Sequence, residues 1–377
     1  MTPTLPPFRL ERFFARHEFA VEHLLCASDC ESWTVAELLA LEPGAEAALA
    51  GLRLGYTESP GAPALRREIA GLYDTIGPDD VLVFSGGEEA IFTLMHVALE
   101  PGERLFVHFP AYQSLHEVAR GRGCDVVLWR AREEDGWALD PSFLSWQLLR
   151  SGGGRARMVV VNSPHNPTGS VLGPGQLEDL ASLARDEGLL LVSDEAYRFL
   201  ELRDEDRSPA ACDLDETAVS LGVMSKSFGL AGLRLGWVAT RNRPLLERLA
   251  AFKDYLTICT SAPSELLAEV AIRHRAAVFE RNRALVRANL DLLEAFMARR
   301  ADLLEWVPPA AGPVAYPALR TGEGAHAFCA RVLEQSGVLL MPGTLFDDCD
   351  HRHVRIGYGR KTFPEGLARL EEALATP

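Results

Sequence analysis

Residues 158–169 read MVVVNSPHNPTG. Four apolar residues in a row, three of them β-branched, favour a strand, and the absence of alternation means that both of its faces are covered. The asparagine, prolines and glycine that follow break the strand and build a stiff polar loop at its carboxyl end. Residues 189–194, LLLVSD, repeat the plan with a continuous apolar run that ends on a carboxylate. A strand apolar on both faces belongs to a sheet flanked by helices, and the carboxyl ends of such strands are where ligands bind.

Outward from these two strands, helix and strand patterns alternate from residue 64 to about 240. ALRREIAGLY (64–73), EEAIFTLMHVAL (88–99), YQSLHEVARG (112–121), FLSWQLLR (143–150) and QLEDLASLARDEG (176–188) read as helices. VLVFSG (81–86), RLFVHF (104–109) and DVVLW (125–129) read as strands. The alternation implies an α/β fold with a mostly parallel sheet. Beyond residue 262 the character changes: 264–273 and 276–303 read as helices, and VLLMP (338–342), HVRIGYG (353–359) and a last helix over 364–375 follow. The expected organisation is a large domain over 46–275 and a smaller α+β domain made of 1–45 with 276–377.

The 377-residue chain carries a formal net charge of −15, which argues against nucleic acid and anionic membranes as partners. No apolar run reaches the roughly 18–20 residues that span a bilayer. The start, MTPTLPPFRLERFF, lacks a cationic region followed by an apolar one, so the expected address is the cytoplasm. Seven scattered cysteines read as small hydrophobes in a reducing compartment. His351 and His353 form H-x-H without an obvious third ligand and read as surface residues, so no metal is expected.

Polar residues gather where strands end. SGGEEA (85–90) opens a helix, and the backbone N–H groups of Gly86, Gly87 and Glu88 suit an anion; a helix cap by Ser85 explains the stretch equally well. Asn166 is held in the rigid loop, and Asp194 ends a buried strand, where a carboxylate needs a cationic partner. Lys226 lies in the apolar run LGVMSKSFGLAGLRLGW (221–237), where burial favours the neutral, nucleophilic amine. Arg234, eight residues on, suits a phosphate. A ligand with an aldehyde, a phosphate and a basic ring nitrogen answers all of these, and pyridoxal 5′-phosphate has the three.

The order of motifs resembles that of the fold-type I pyridoxal-phosphate enzymes, the class I/II aminotransferases. The likeness runs over about 50–360 through GYTESPGAPALR, SGGEEAI, PGERLFVHFPAYQSL, NSPHNPTG, SDEAY, SKSFGLAGLRLGW and HVRIGYG. It implies that Lys226 is the Schiff-base lysine and the catalytic base, with Asp194 on the ring nitrogen. It places Asn166 and Tyr197 on the phenolic oxygen and Tyr112 on the ring face. It gives the phosphate to Gly87, Glu88, Ser225 and Arg234, and the substrate carboxylate to Arg355. Tyr56 resembles the tyrosine that reaches the neighbouring subunit's phosphate, which implies a homodimer with shared sites. The implied substrates are an amino acid and a 2-oxo acid.

Two stretches depart from the family pattern. Val223 stands where Ser or Gly is usual. The segment LLCASDCESWTVAELLAL (24–41) replaces a Gly- and Pro-containing one and, with AAGPVAYPAL (310–319), is similar to the capreomycidine-synthase branch. Asp29 or Glu31 is then expected to meet a cationic substrate side chain. Transamination is the first expectation; a lyase or cyclase acting on a basic, hydroxylated amino acid is the alternative, and a non-catalytic binding protein of the same fold is a third. A dinucleotide-binding dehydrogenase would fit the sheet, but no convincing G-x-G-x-x-G follows an early strand.

Overall fold

The computed structural model describes residues 5–150, 153–347 and 349–375. Residues 1–4, part of the N-terminal stretch read above, and 376–377 lie outside the described residues. In chain order the strands are β1 (His23–Leu24), β2 (Val81–Phe84), β3 (Arg104–Phe109), β4 (Asp125–Arg130), β5 (Ala156–Asn162), β6 (Leu190–Asp194) and β7 (Val219–Val223). There follow β8 (Gly236–Ala239), β9 (Leu304–Glu305), β10 (Val314–Ala315), β11 (Ala318–Leu319), β12 (Val338–Leu339), β13 (Met341–Pro342) and β14 (Val354–Gly357).

Seven strands form the central sheet, in the order β2-β8-β7-β6-β5-β3-β4. Only β8 runs against the others: it pairs antiparallel with β2 and β7, and the remaining pairs are parallel. The mostly parallel α/β sheet expected from the sequence is therefore present. Its continuous apolar runs divide between two cores. Leu82, Phe84, Met158, Val160 and Val192 pack on one face with the helices Gly87–Ala98, Ser114–Gly121 and Arg243–Lys253. Phe106, Val159, Val161 and Leu191 pack on the other face, against helix Pro174–Asp186. Met158, Val159, Val160 and Val161 are all fully buried, which is why the run shows no alternation.

Strands β7 and β8 were not legible in the sequence. Both are short, and their cross-strand partners include Gly222 opposite Trp237, a residue with little strand propensity. The glycine is a packing requirement, because a Cβ there would lie 2.2 Å from the Trp237 ring. The β7–β8 connection carries Lys226 and Arg234.

The C-terminal part is built on the 25-residue helix Arg275–Arg299, whose buried Val286, Leu290, Leu293, Phe296 and Met297 recur at helical spacing. Beside it, β10, β14 and β13 form an antiparallel sheet. The N-terminal segment joins this region directly: β1 pairs in parallel with β12, His23 opposite Val338. Leu25 adds its side chain to the core of Phe296, Val338 and Ile356.

Candidate active site

The carboxyl ends of β2, β3, β5, β6 and β7 open on one cavity of about 360 Å³. Gly87, Glu88, Tyr112, Asn166, Asp194, Tyr197, Ser225, Lys226, Arg234, Arg355 and Asp29 all line it. The outermost of these residues, Asp29 and Arg355, are 326 positions apart in the sequence, and one edge of the sheet brings the set together. Tyr56 and Glu31 are not part of this lining.

Lys226 is half-buried and its Nζ donates to Ser28 Oγ at 2.8 Å. The apolar stretch around it does pack inside, with Met224, Ser227, Phe228 and Leu230 buried. Arg234 corrects the expectation of burial. It is exposed at the cavity rim in a left-handed conformation, φ +48°, and its guanidinium donates to Ala231 O at 3.1 Å and Ser225 Oγ at 3.5 Å. The cation is presented there and not sequestered.

Asp194 ends β6, and its Oδ1 accepts from Ala196 N at 3.2 Å. Burial pushes its carboxyl pKa up to about 6, although the Ala196 amide and the charge of Lys226 both oppose the rise. Asn162, at the end of β5, ties its neighbours together. Its amide nitrogen donates to Asp194 O at 2.9 Å, and its Oδ1 accepts from Asn166 N at 2.8 Å. Sequence reasoning passed over Asn162; a polar residue closing MVVV was the available signal. His165 bonds Thr168 Oγ1 at 2.7 Å and stacks on His108 with centroids 3.9 Å apart, which holds the loop that carries Asn166. Burial keeps His165 neutral, its pKa pushed down to about 3.

The helix Gly87–Ala98 begins at the cavity, and its N-cap is Gly86, with no side-chain cap bond. Ser85 is thus not the cap; its backbone N–H donates to Glu89 Oε2 at 2.6 Å. Gly86 has φ +88°, and a Cβ there would come 2.8 Å from Arg234 Nη2. The first-turn amides, Ser225 Oγ and the Arg234 guanidinium therefore converge as an anion cradle. The Glu88 side chain turns to Ser114 Oγ at 2.9 Å, and burial raises its pKa. Val223 packs toward Gly87, where a Cβ would meet its Cγ1 at 2.6 Å.

Arg355 on β14 is 1% exposed. One guanidinium nitrogen donates to Asn166 Oδ1 at 3.0 Å and the other to Cys26 O at 2.5 Å. Its Nε and the Tyr197 hydroxyl are buried without a hydrogen-bond partner among the described residues. Buried polar groups of this kind are the ones that a ligand satisfies.

The outer wall comes from the N-terminal helix Arg9–His17 and the turn after β1; the i, i+3, i+4 spacing of Leu10, Phe13 and Phe14 was the available signal for that helix. Leu10, Glu11, Phe14 and Glu18 face the cavity beside Ser28 and Asp29. Tyr112 packs on Phe8 with centroids 5.0 Å apart, and its hydroxyl donates to Glu11 at 3.1 Å. Asp29 is already paired: Arg360 donates to its two oxygens at 2.9 Å each. Glu31 corrects the other half of that expectation, since its carboxylate accepts from Lys361 N at 2.9 Å outside the cavity. Burial raises the Glu18 carboxyl, and the nearby Asp29 and Glu11 add to the rise, against Arg360. Tyr56 is 91% exposed, away from this chain's own cavity. His353 also departs from expectation: it is largely buried between Asp350 and Glu133.

Comparison with known proteins agrees with this geometry. Residues 24–373 match the model of the family described as aminotransferase class I and II. Capreomycidine synthase of Streptomyces vinaceus is 30% identical over 379 residues, covering 99% of this chain and 95% of that protein. A pyridoxal-phosphate-dependent aminotransferase from Streptococcus suis superposes with TM-score 0.91 at 29% identity, over 98% of both chains. The pyridoxal-phosphate-dependent cyclase OrfR superposes with TM-score 0.89 at 33% identity, over 98% of this chain and 97% of its own. The site fits that cofactor on its own chemistry, with an amine at Lys226, an anion cradle at Gly86–Glu88, a buried carboxyl at Asp194 and an unsatisfied hydroxyl at Tyr197. By fold, by donor set and by similarity along nearly its whole length, the chain belongs to the aminotransferase class I and II family of pyridoxal 5′-phosphate-dependent enzymes.

Proposed function

We propose that this enzyme is an aminotransferase that moves the α-amino group of an L-amino acid to a 2-oxo acid. The observation that carries the reading is the placement of Lys226, Asp194 and Arg355 around one cavity. When bound, pyridoxal 5′-phosphate supplies an aldehyde for the substrate amine and a ring that accepts the electron pair left at Cα. Lys226 would hold the cofactor through its aldehyde, and its amine is placed to move the proton at the substrate Cα. Asp194, ionised beside a cation, holds the proton on the ring nitrogen. Asn166 and the Tyr197 hydroxyl would hold the phenolic oxygen, and Tyr112 would pack against the ring. The amides of Gly87 and Glu88, with Ser225 and Arg234, bind the phosphate. Arg355 takes the substrate carboxylate through its planar fork.

The wall away from the sheet favours a cationic substrate side chain. Glu11, Glu18 and Asp29 line it, and Arg360, which pairs with Asp29, also offsets Glu18. That lining, with the similarity to capreomycidine synthase, favours a second reading in which a basic amino acid loses a side-chain leaving group and cyclises. A homodimer is part of the proposal. Leu54, Tyr56, Tyr255 and Ile258 are exposed on adjoining segments, which Ser59 Oγ joins through Asp254 at 3.0 Å.

Two measurements test these readings. Borohydride reduction of the holoenzyme followed by peptide mapping is expected to label Lys226; a label elsewhere, or none with excess cofactor, ends the proposal. Amino acids added without an oxo acid are expected to bleach the cofactor absorbance one-for-one. Sustained turnover with the absorbance restored would support cyclisation instead.

A further inference from the structure

His353 precedes Arg355 by two residues in extended backbone, so both side chains leave the same face. The His353 ring is held between carboxylates from two distant segments. Its Nδ1 lies 3.0 Å from Asp350 Oδ1, and its Nε2 lies 3.2 Å from Glu133 Oε2. Glu133 belongs to the loop that leaves β4, the edge strand of the central sheet. An acceptor on each ring nitrogen requires a proton on each, so the ring is an imidazolium. Burial works against that charge, but the bonds to Asp350 and Glu133 win and push its pKa up to about 9.

The cluster is closed on its other sides. The Tyr316 hydroxyl donates to Asp350 Oδ2 at 2.5 Å, and Trp137 meets the His353 ring edge-on with centroids 5.2 Å apart. Arg130 pairs with Asp347 next to it, and Arg352 is engaged with Glu305. A run of rings then leads to the cavity. His353 stacks on Tyr316 with centroids 4.8 Å apart, Tyr316 meets Phe346 edge-on at 6.1 Å, and the Arg355 guanidinium lies 5.2 Å from the Phe346 centroid.

We propose that His353, clasped between Glu133 and Asp350, is a positioning residue that fixes the strand and ring stack holding Arg355 at its carboxylate-binding pose. It lines no part of the cavity and acts only through Arg355. The proposal rests on the reading that Arg355 takes the substrate carboxylate. Removing the imidazolium frees the loop after β4 from the strand, and the guanidinium loses its fixed backing while the cofactor cradle is untouched.

The probe is propionate, a carboxylate with neither amino group nor side chain, titrated into the holoenzyme and followed by cofactor absorbance. Wild type is expected to bind it in the millimolar range, and R355Q to lose that binding. H353Q and E133Q are expected to weaken it about five-fold, the scale of coupling through a packed network, with cofactor affinity unchanged. Between about pH 8 and pH 10 wild type should weaken by the same factor, as the imidazolium of pKa about 9 loses its proton, and H353Q should show no such step. If R355Q binds propionate as wild type does, or wild type binds none, the reading of Arg355 falls and the inference with it. If R355Q loses binding while H353Q and E133Q keep it, the inference alone falls. Equal loosening of propionate and cofactor in H353Q would mark a merely structural residue and also overturn it. Should H353Q fail to fold, E133Q, which removes only the charge across the gap, decides.

Discussion

Replacing Asp194 by Asn is expected to stabilise the apoenzyme while disabling the holoenzyme. Folding carries the Asp194 carboxyl from an ordinary pKa of 3.8 to about 6, chiefly because burial strips its hydration. At about 1.4 kcal/mol per pKa unit, the ionised carboxylate costs the apo fold about 3 kcal/mol at pH 8. The sign follows from the direction: an acid whose folded pKa is raised destabilises the fold above that pKa, and the penalty fades as pH falls toward the unfolded value. At pH 4 most of that penalty is gone by the same relation. Asn keeps the volume and the Oδ1 that accepts from Ala196 N at 3.2 Å, so little else changes. Denaturant unfolding of the apo forms at the two pH values reads the difference directly. D194N should exceed wild type by up to about 3 kcal/mol at pH 8 and nearly match it at pH 4. With cofactor bound, turnover should fall at least about 100-fold, because the ring nitrogen loses its charged partner. A D194N apoenzyme no more stable than wild type at pH 8, or stabilised equally at pH 4, would refute the reasoning.

Three further expectations are open to direct measurement. Gly222→Ala drives a methyl into the Trp237 ring, 2.2 Å away; it should cost about 1–3 kcal/mol in denaturant unfolding with the cofactor site chemically intact. Asp29→Ala strips Arg360 of its bidentate partner, so the ratio of kcat/KM for basic over acidic amino acids should fall about ten-fold. An unchanged ratio would remove Asp29 and Arg360 from selectivity. The raised pKa of His353 predicts that its contribution to stability is whole below pH about 6.5 and lost as pH rises through about 9. H353Q should flatten that alkaline limb in thermal unfolding.

The two runs MVVV and LLLV carried most of the fold, because a strand buried on both faces cannot hide its composition. Asp194, which closes LLLV, and Asn166, in the loop beyond MVVV, both line the cavity, because a carboxylate or amide near a buried strand needs a partner; Asn162, which closes MVVV itself, was passed over. What stayed illegible depended on distance along the chain or on contacts without a period. Strands β7 and β8 are short and glycine-bearing, shaped by how Trp237 lies over Gly222 rather than by propensity. Arg234 sits among Leu and Gly in the sequence yet stands exposed, since a left-handed turn lifts it out. Glu31 and Asp29 are two residues apart, but the backbone pairing of Glu31 with Gly359 sends one carboxylate outward and leaves the other at the cavity. The acid wall rests on contacts far apart by numbering, Glu11 with Tyr112 and, for the turn that carries Asp29, β1 with β12 more than 300 residues away.

That pairing has a consequence for biosynthesis. During translation the lysine, the phosphate cradle and the central sheet leave the ribosome well before β12 and β14 do. The helix Arg9–His17 already has Tyr112 and Gln113 to dock on, but β1 and the turn with Asp29 wait for β12 and Arg360, and Arg355 does not yet exist. On the roles proposed above, the residues for the cofactor are therefore made before Arg355, the residue for the substrate carboxylate.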